Sequence, residues 1–195
     1  MLAILKDKTV YNKIILSVIP LTAICSTALS SLIAGITVIF AVSLSWVVVS
    51  ALKQFLTSKT AAFARIVIAV GLVGIATMLF SIIFKDIIES IGIYLPLISI
   101  TTAVLVSVDD IMVEKPLNVL LFGSVISSVA AGFLFMVGFL KEFLGMGSIF
   151  GLDIYTKIFT PVEFFKTPAG ALLIGAALTV LYNTLVKFTE KRGAK

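Results

Sequence analysis

Ile19-Pro-Leu-Thr-Ala-Ile-Cys25 and Leu95-Pro-Leu-Ile-Ser-Ile-Thr101 read as two copies of one short pattern. Each places a proline, and then small or hydroxylated residues, inside a long apolar stretch. A membrane-spanning helix tolerates such an interruption only where protein, side-chain hydroxyls or water satisfy the freed backbone groups. Paired broken helices in corresponding halves of a chain point to a functional centre near the bilayer midplane.

The rest of the chain makes the bilayer its solvent. Of 195 residues, 60% are hydrophobic and only 13% charged, with a mean hydropathy of +1.21. A soluble domain of this size exposes too much surface to hide that composition. Charges at Lys6, Asp7, Lys8 and Lys13, with no small-residue cleavage site after them, predict that the N-terminal segment stays as helix one. There is no histidine and a single cysteine, Cys25. An internal disulfide and a self-contained thiolate site are therefore excluded, and the commonest general base and metal ligand is missing. The net charge of +5 is spread over short loops and tails, so it reads as a topology signal and not as a nucleic-acid surface.

Apolar runs near the roughly 20 residues needed to cross about 30 Å of hydrocarbon fall at 13–30, 31–52, 63–84, 93–112, 117–140 and 168–188. The first and fourth contain Pro20 and Pro96 and are expected to be kinked or split. Interfacial helices are expected over Asp86–Ile93 and along Ile149, Phe150, Ile154, Ile158 and Phe159. Eleven of the 15 Lys and Arg fall on the side holding both termini and the loops at 53–65 and 109–116, which puts that side in the cytoplasm. The expected fold is an all-α membrane domain of six helices, built as two inverted three-helix repeats, 1–84 and 85–195.

Small residues along helix five (Gly123, Ser127, Ala131, Gly138), helix six (Gly170, Gly175) and helix three (Gly71, Gly74) predict close helix packing. No carboxylate or lysine falls at a predicted helix centre, where an autonomous proton relay shows one. Asp109 and Asp110 read as solvated residues closing helix four, and Cys25 as a small buried hydrophobe. Tyr182 and Asn183 are candidates to cap an interior polar pocket.

Three segments carry a family resemblance: Gly92-Ile-Tyr-Leu-Pro96-Leu-Ile, Lys141-Glu142-Phe-Leu-Gly145-Met-Gly147-Ser-Ile-Phe150-Gly151, and Pro168-Ala-Gly170-Ala. They match the patterns G-x-F-I-P-L-I, R-E-x-x-G-x-G-x-x-F-G and P-G-A of the E subunits of Rnf electron-transport complexes. These are related to the D subunits of sodium-pumping NADH:quinone reductases. The resemblance covers nearly the whole chain, and it implies six spans, inverted repeats and cytoplasmic termini in a prokaryotic inner membrane. It also implies a pseudo-symmetric A-type partner and other complex subunits, with flavin held by a neighbour.

The resemblance further implies a 2Fe–2S cluster shared with the A-type partner, with ligands in L-G-x-C-P on helix one and P-L-I-x-x-N-C on helix four. Here those positions are Ile19 and Thr102, with Thr101 in place of Asn. Neither is a thiolate, so the ligand role does not carry over. Cys25 lies six residues past the first position, roughly 9 Å along an intact helix. The R-A-E segment of relatives is altered to Ser107-Val108-Asp109.

The leading reading is a membrane subunit of an Rnf-like or Nqr-like redox-driven ion-translocating complex, non-catalytic when isolated. Pro20, Cys25, Thr101 and Thr102 are expected to line its midplane centre, with Pro96 shaping it. The alternative is the substrate-binding membrane component of a small-molecule, vitamin-type transporter, which would need a polar or aromatic ligand pocket.

Overall fold

A computed structural model describes residues 14–52, 55, 58–92, 95–106, 116–153 and 162–193. A helical stretch α1 (residues 14–18) tightens into a 3₁₀ segment, Ile19–Ile24, with Pro20 in its first turn. Residues 25–27 form a short non-helical strap. Then come α2 (Ala28–Leu52), α3 (Ser58–Ser81), the short α4 (Lys85–Ile91), α5 (Leu95–Val106) and α6 (Pro116–Met146). A two-stranded hairpin, β1 (Ser148–Ile149) and β2 (Leu152–Asp153), follows α6. A second 3₁₀ turn, Glu163–Lys166, leads into α7 (Pro168–Gly193).

Three of these helices are long and apolar enough to cross a membrane: Ala28–Leu52, Phe63–Ser81 and Asn118–Met146. The apolar helices Ile14–Ala23, Pro96–Val106 and Pro168–Thr184 are shorter. At 1.5 Å per residue the 12 residues of α5 cover roughly 18 Å, well short of the hydrocarbon core.

The seam between α2 and α6 is the spine of the molecule. The two helices run antiparallel: Ser31 packs against Gly138, Gly35 against Ala131, and Trp46 against Gly123. At Gly138 any side chain would meet Ser31, whose Cβ lies 2.5 Å from the place a Cβ would take. Only glycine admits that approach, which is the packing that lipid-embedded helices rely on. Trp46 and Phe122 close the far end edge-to-face, with ring centroids 5.4 Å apart.

Around this spine, α3 packs on α2 and α5, while α7 packs on the Ile19–Ile24 segment and α6. The outward side of α3 leaves Phe63, Val67, Val70 and Met78 exposed, as a lipid-facing surface requires. Gly71 and Gly74 have nothing within contact range of a side chain, so the packing expected of helix three is not made among the described residues.

Several boundaries differ from expectation for local reasons. Span one is not a helix over 13–30: it tightens at Pro20 and ends at Ile24, and α2 starts at Ala28 and not at 31. Pro96 does not split helix four. It sits in the first turn of α5, where the missing N–H costs nothing. The segment from Ile149 is a hairpin instead of an interfacial helix, because Phe150 (φ 53°) and Gly151 (φ 77°) form a two-residue turn with both φ positive. Ile154, Ile158 and Phe159 lie outside the described residues, as do Asp109 and Asp110.

Candidate functional site

The two proline-bearing segments meet. The Thr101 hydroxyl on α5 donates to the Ser17 carbonyl at 3.1 Å, across 84 residues of chain. The reason lies in Pro20. In a 3₁₀ pattern the carbonyl of Ser17 would be served by the N–H three residues ahead, and proline has none. A backbone carbonyl left unpaired away from water costs about 1–3 kcal/mol. Thr101, only 2% exposed, supplies the missing donor.

Past the 3₁₀ segment the Cys25 N–H bonds the Thr22 carbonyl, and the chain then turns outward. The Cys25 thiol is fully buried and points at the carbonyls of Leu134 (3.6 Å) and Leu21 (3.9 Å). Leu134 lies three residues past the midpoint of the 31-residue α6, so the thiol sits near mid-depth of the bundle. The strap ends in a reciprocal cap: the Thr27 N–H donates to Ser30 Oγ (2.9 Å), and the Ser30 N–H donates to Thr27 Oγ1 (3.1 Å). This is a capping box with serine as its second member.

The polar groups of the predicted residues turn to different partners. Thr101 bridges to α1, whereas Thr102, buried beside it, returns its hydroxyl to Ile98 of its own helix at 2.8 Å. Cys25 turns toward α6. Pro20 is exposed on the break, and Pro96 lines a groove of about 350 Å³ with Ser99 and Ile100 of α5 and Ile66, Val70, Val73, Gly74 and Thr77 of α3. That groove is apolar apart from two hydroxyl-bearing residues, unlike the polar ligand pocket a vitamin-type transporter would need. Asn183 lies exposed on α7 and caps no interior pocket.

The cluster implied by the resemblance does not fit these residues. Ile19 opens the 3₁₀ segment, Thr102 is closed on its own backbone, and the one thiol faces a carbonyl. No group of three or more Cys, Asp or Glu placed to hold a metal ion occurs among the described residues.

A buried charged pair escaped the sequence reading. Helix α6 continues to Met146 and so draws Lys141 and Glu142 inside the fold, at 3% and 1% exposure. The Ala28 N–H donates to Glu142 Oε2 at 2.6 Å, which places the carboxylate at the N-terminus of α2. That is where a helix favours negative charge. Glu142 Oε1 accepts the Gly151 N–H at 2.7 Å and the Ser148 hydroxyl at 3.3 Å. The signal was present in the sequence: a charged dipeptide followed by Phe143 and Leu144 inside a continuing apolar run.

The chain has relatives among known membrane-complex subunits. The chain is 26% identical over 174 residues to the E subunit of the proton-translocating ferredoxin:NAD(+) oxidoreductase complex of Clostridium ljungdahlii, covering 86% of this chain and 81% of that one. It is 29% identical over 197 residues to the E subunit of the ion-translocating oxidoreductase complex of Cronobacter sakazakii, covering 93% and 86%. The E subunit of the corresponding Salmonella arizonae complex is 29% identical over 195 residues, covering 91% and 84%. The family model for Rnf-Nqr subunits, which are membrane proteins, matches residues 1–180, and the chain belongs to that family.

Proposed function

We propose that this chain is the E-type membrane subunit of an Rnf-like or Nqr-like ion-translocating oxidoreductase, seated in a prokaryotic inner membrane with both termini cytoplasmic. The Thr101–Ser17 hydrogen bond carries the reading, because it joins the two proline-bearing segments into one centre. The packing pattern supports an inverted repeat of 1–84 and 85–195. The third helix of each half packs on the first segment of the other, α3 on α5 and α7 on Ile19–Ile24, about an antiparallel α2–α6 pair.

In this reading Pro20, Cys25, Thr101 and Thr102 line the centre, Pro96 shapes its edge, and a pseudo-symmetric A-type subunit covers it. Irregular backbone at membrane depth must be buried in protein or line a water-filled cavity. The exposed Pro20 leaves that cover to a partner. Redox chemistry belongs to cofactors such as flavin in neighbouring subunits. The residues of this chain provide a thin partition that opens alternately to the two sides.

The test is purification of the tagged chain from native membranes in mild detergent. The expected companions are a second multi-span subunit of the same family and flavin-bearing subunits, and deletion of the chain should abolish redox-driven ion uptake by membrane vesicles. Co-purification with an ATPase module, or unchanged uptake after deletion, would refute the assignment.

A further inference from the structure

Glu142 joins two parts of the chain, the start of α2 and the hairpin after α6. One oxygen takes the first amide of α2, and the other takes the Gly151 amide and the Ser148 hydroxyl of the hairpin. The strap between the break and α2 is three residues long. Cys25 contacts Leu134, and Ala28 contacts Glu142, eight residues further along α6, so one helix holds both ends of the strap. With only three residues between the two contacts, the position of its outer end limits the depth of its inner end.

We propose that Glu142 is a positioning residue: by gripping the Ala28 amide it sets the depth and burial of the Cys25–Thr27 strap at the helix break, and through Gly151 it ties that strap to the hairpin after α6. The carboxylate is 114 residues from its partner in sequence. It is well suited to the task, since each oxygen receives one amide and the group is sealed from water. The bearing of this grip on transport rests on the function proposed above. The grip itself does not.

The chain carries a single cysteine, so maleimide labelling of the tagged chain in native membranes reports Cys25 alone. The wild-type thiol, fully buried, is expected to label slowly. Glu142→Gln keeps the size but offers one acceptor oxygen to two amides. Labelling is expected to accelerate by at least about tenfold, the effect of losing one hydrogen bond to a charged group. Ala28→Pro cuts the same link from the other side, at a first helical position where proline is accepted. It should accelerate labelling equally, and the double variant should label no faster than either single one. Gly123→Ala, which presses on Trp46 at the opposite end of the seam, should leave Cys25 protected.

Protection of Cys25 at the wild-type level in Glu142→Gln and Ala28→Pro overturns the proposal. Equal acceleration in Gly123→Ala also overturns it, because general loosening would then explain the exposure. If Glu142→Gln does not accumulate, Ala28→Pro decides alone. The labelling reads the thiol whether or not redox subunits co-purify, so failure of the grip and failure of the functional assignment remain distinct results.

Discussion

Thr101 gives Ser17 the hydrogen bond that Pro20 withholds. The 3.1 Å contact joins the first and fourth apolar segments and turns a local backbone defect into a tertiary link. Thr101→Val keeps the shape of the side chain and removes the donor. The Ser17 carbonyl is then left unpaired at membrane depth, at a cost of about 1–3 kcal/mol. Thermal unfolding of the purified protein in detergent should show the loss, and an unchanged midpoint would mean that the carbonyl has another partner.

Pro20→Ala supplies a backbone N–H where the 3₁₀ segment lacks one. In a double-mutant cycle the Thr101→Val penalty should shrink by about 1 kcal/mol in the Pro20→Ala background. Additive effects would show that the proline and the threonine act independently.

Glycines along the spine are not equivalent. Gly138→Ala drives a methyl into Ser31 and toward the Thr27 carbonyl, so it should destabilise the α2–α6 seam by about 1–3 kcal/mol. Gly132, on the same helix, has open space around it, and Gly132→Ala should be neutral or slightly stabilising. Equal effects from the two substitutions would contradict the antiparallel packing of α2 on α6.

Iron should not depend on this chain's thiol. Cys25→Ala is expected to leave the iron and acid-labile sulfide per purified complex unchanged, because the sulfur faces the Leu134 carbonyl. Loss of iron, or of an iron–sulfur electron paramagnetic resonance signal, in that variant would make Cys25 a ligand after all.

The hairpin turn carries a bulky residue at positive φ. Phe150 adopts φ 53° beside Gly151 at φ 77°. Gly151→Val should destabilise the turn by about 1–2 kcal/mol, since a β-branched residue resists that conformation. Phe150→Asn should be tolerated. Hydrogen exchange at the Ser148–Asp153 pairing would follow both.

Composition and apolar run length were enough to determine a membrane protein, because few sequences with so few charges have another solvent. Proline placement located the break at Pro20, since a missing N–H is a local property, whereas Pro96 marks only the start of a helix. The glycine spacing on helix five likewise foretold a tight seam. The same spacing on helix three, at Gly71 and Gly74, found no partner among the described residues.

What only the tertiary structure decided is which groups satisfy the defects. Thr101 and Thr102 are adjacent hydroxyls in sequence, yet one crosses to Ser17 and the other returns to Ile98. Lys141 and Glu142 fall just past the expected span 117–140, yet α6 carries them inside, where Glu142 caps a helix 114 residues away. A helix break states what it lacks through its own residues. The donor or carboxylate that answers it comes from distant chain, and only packing brings the two together.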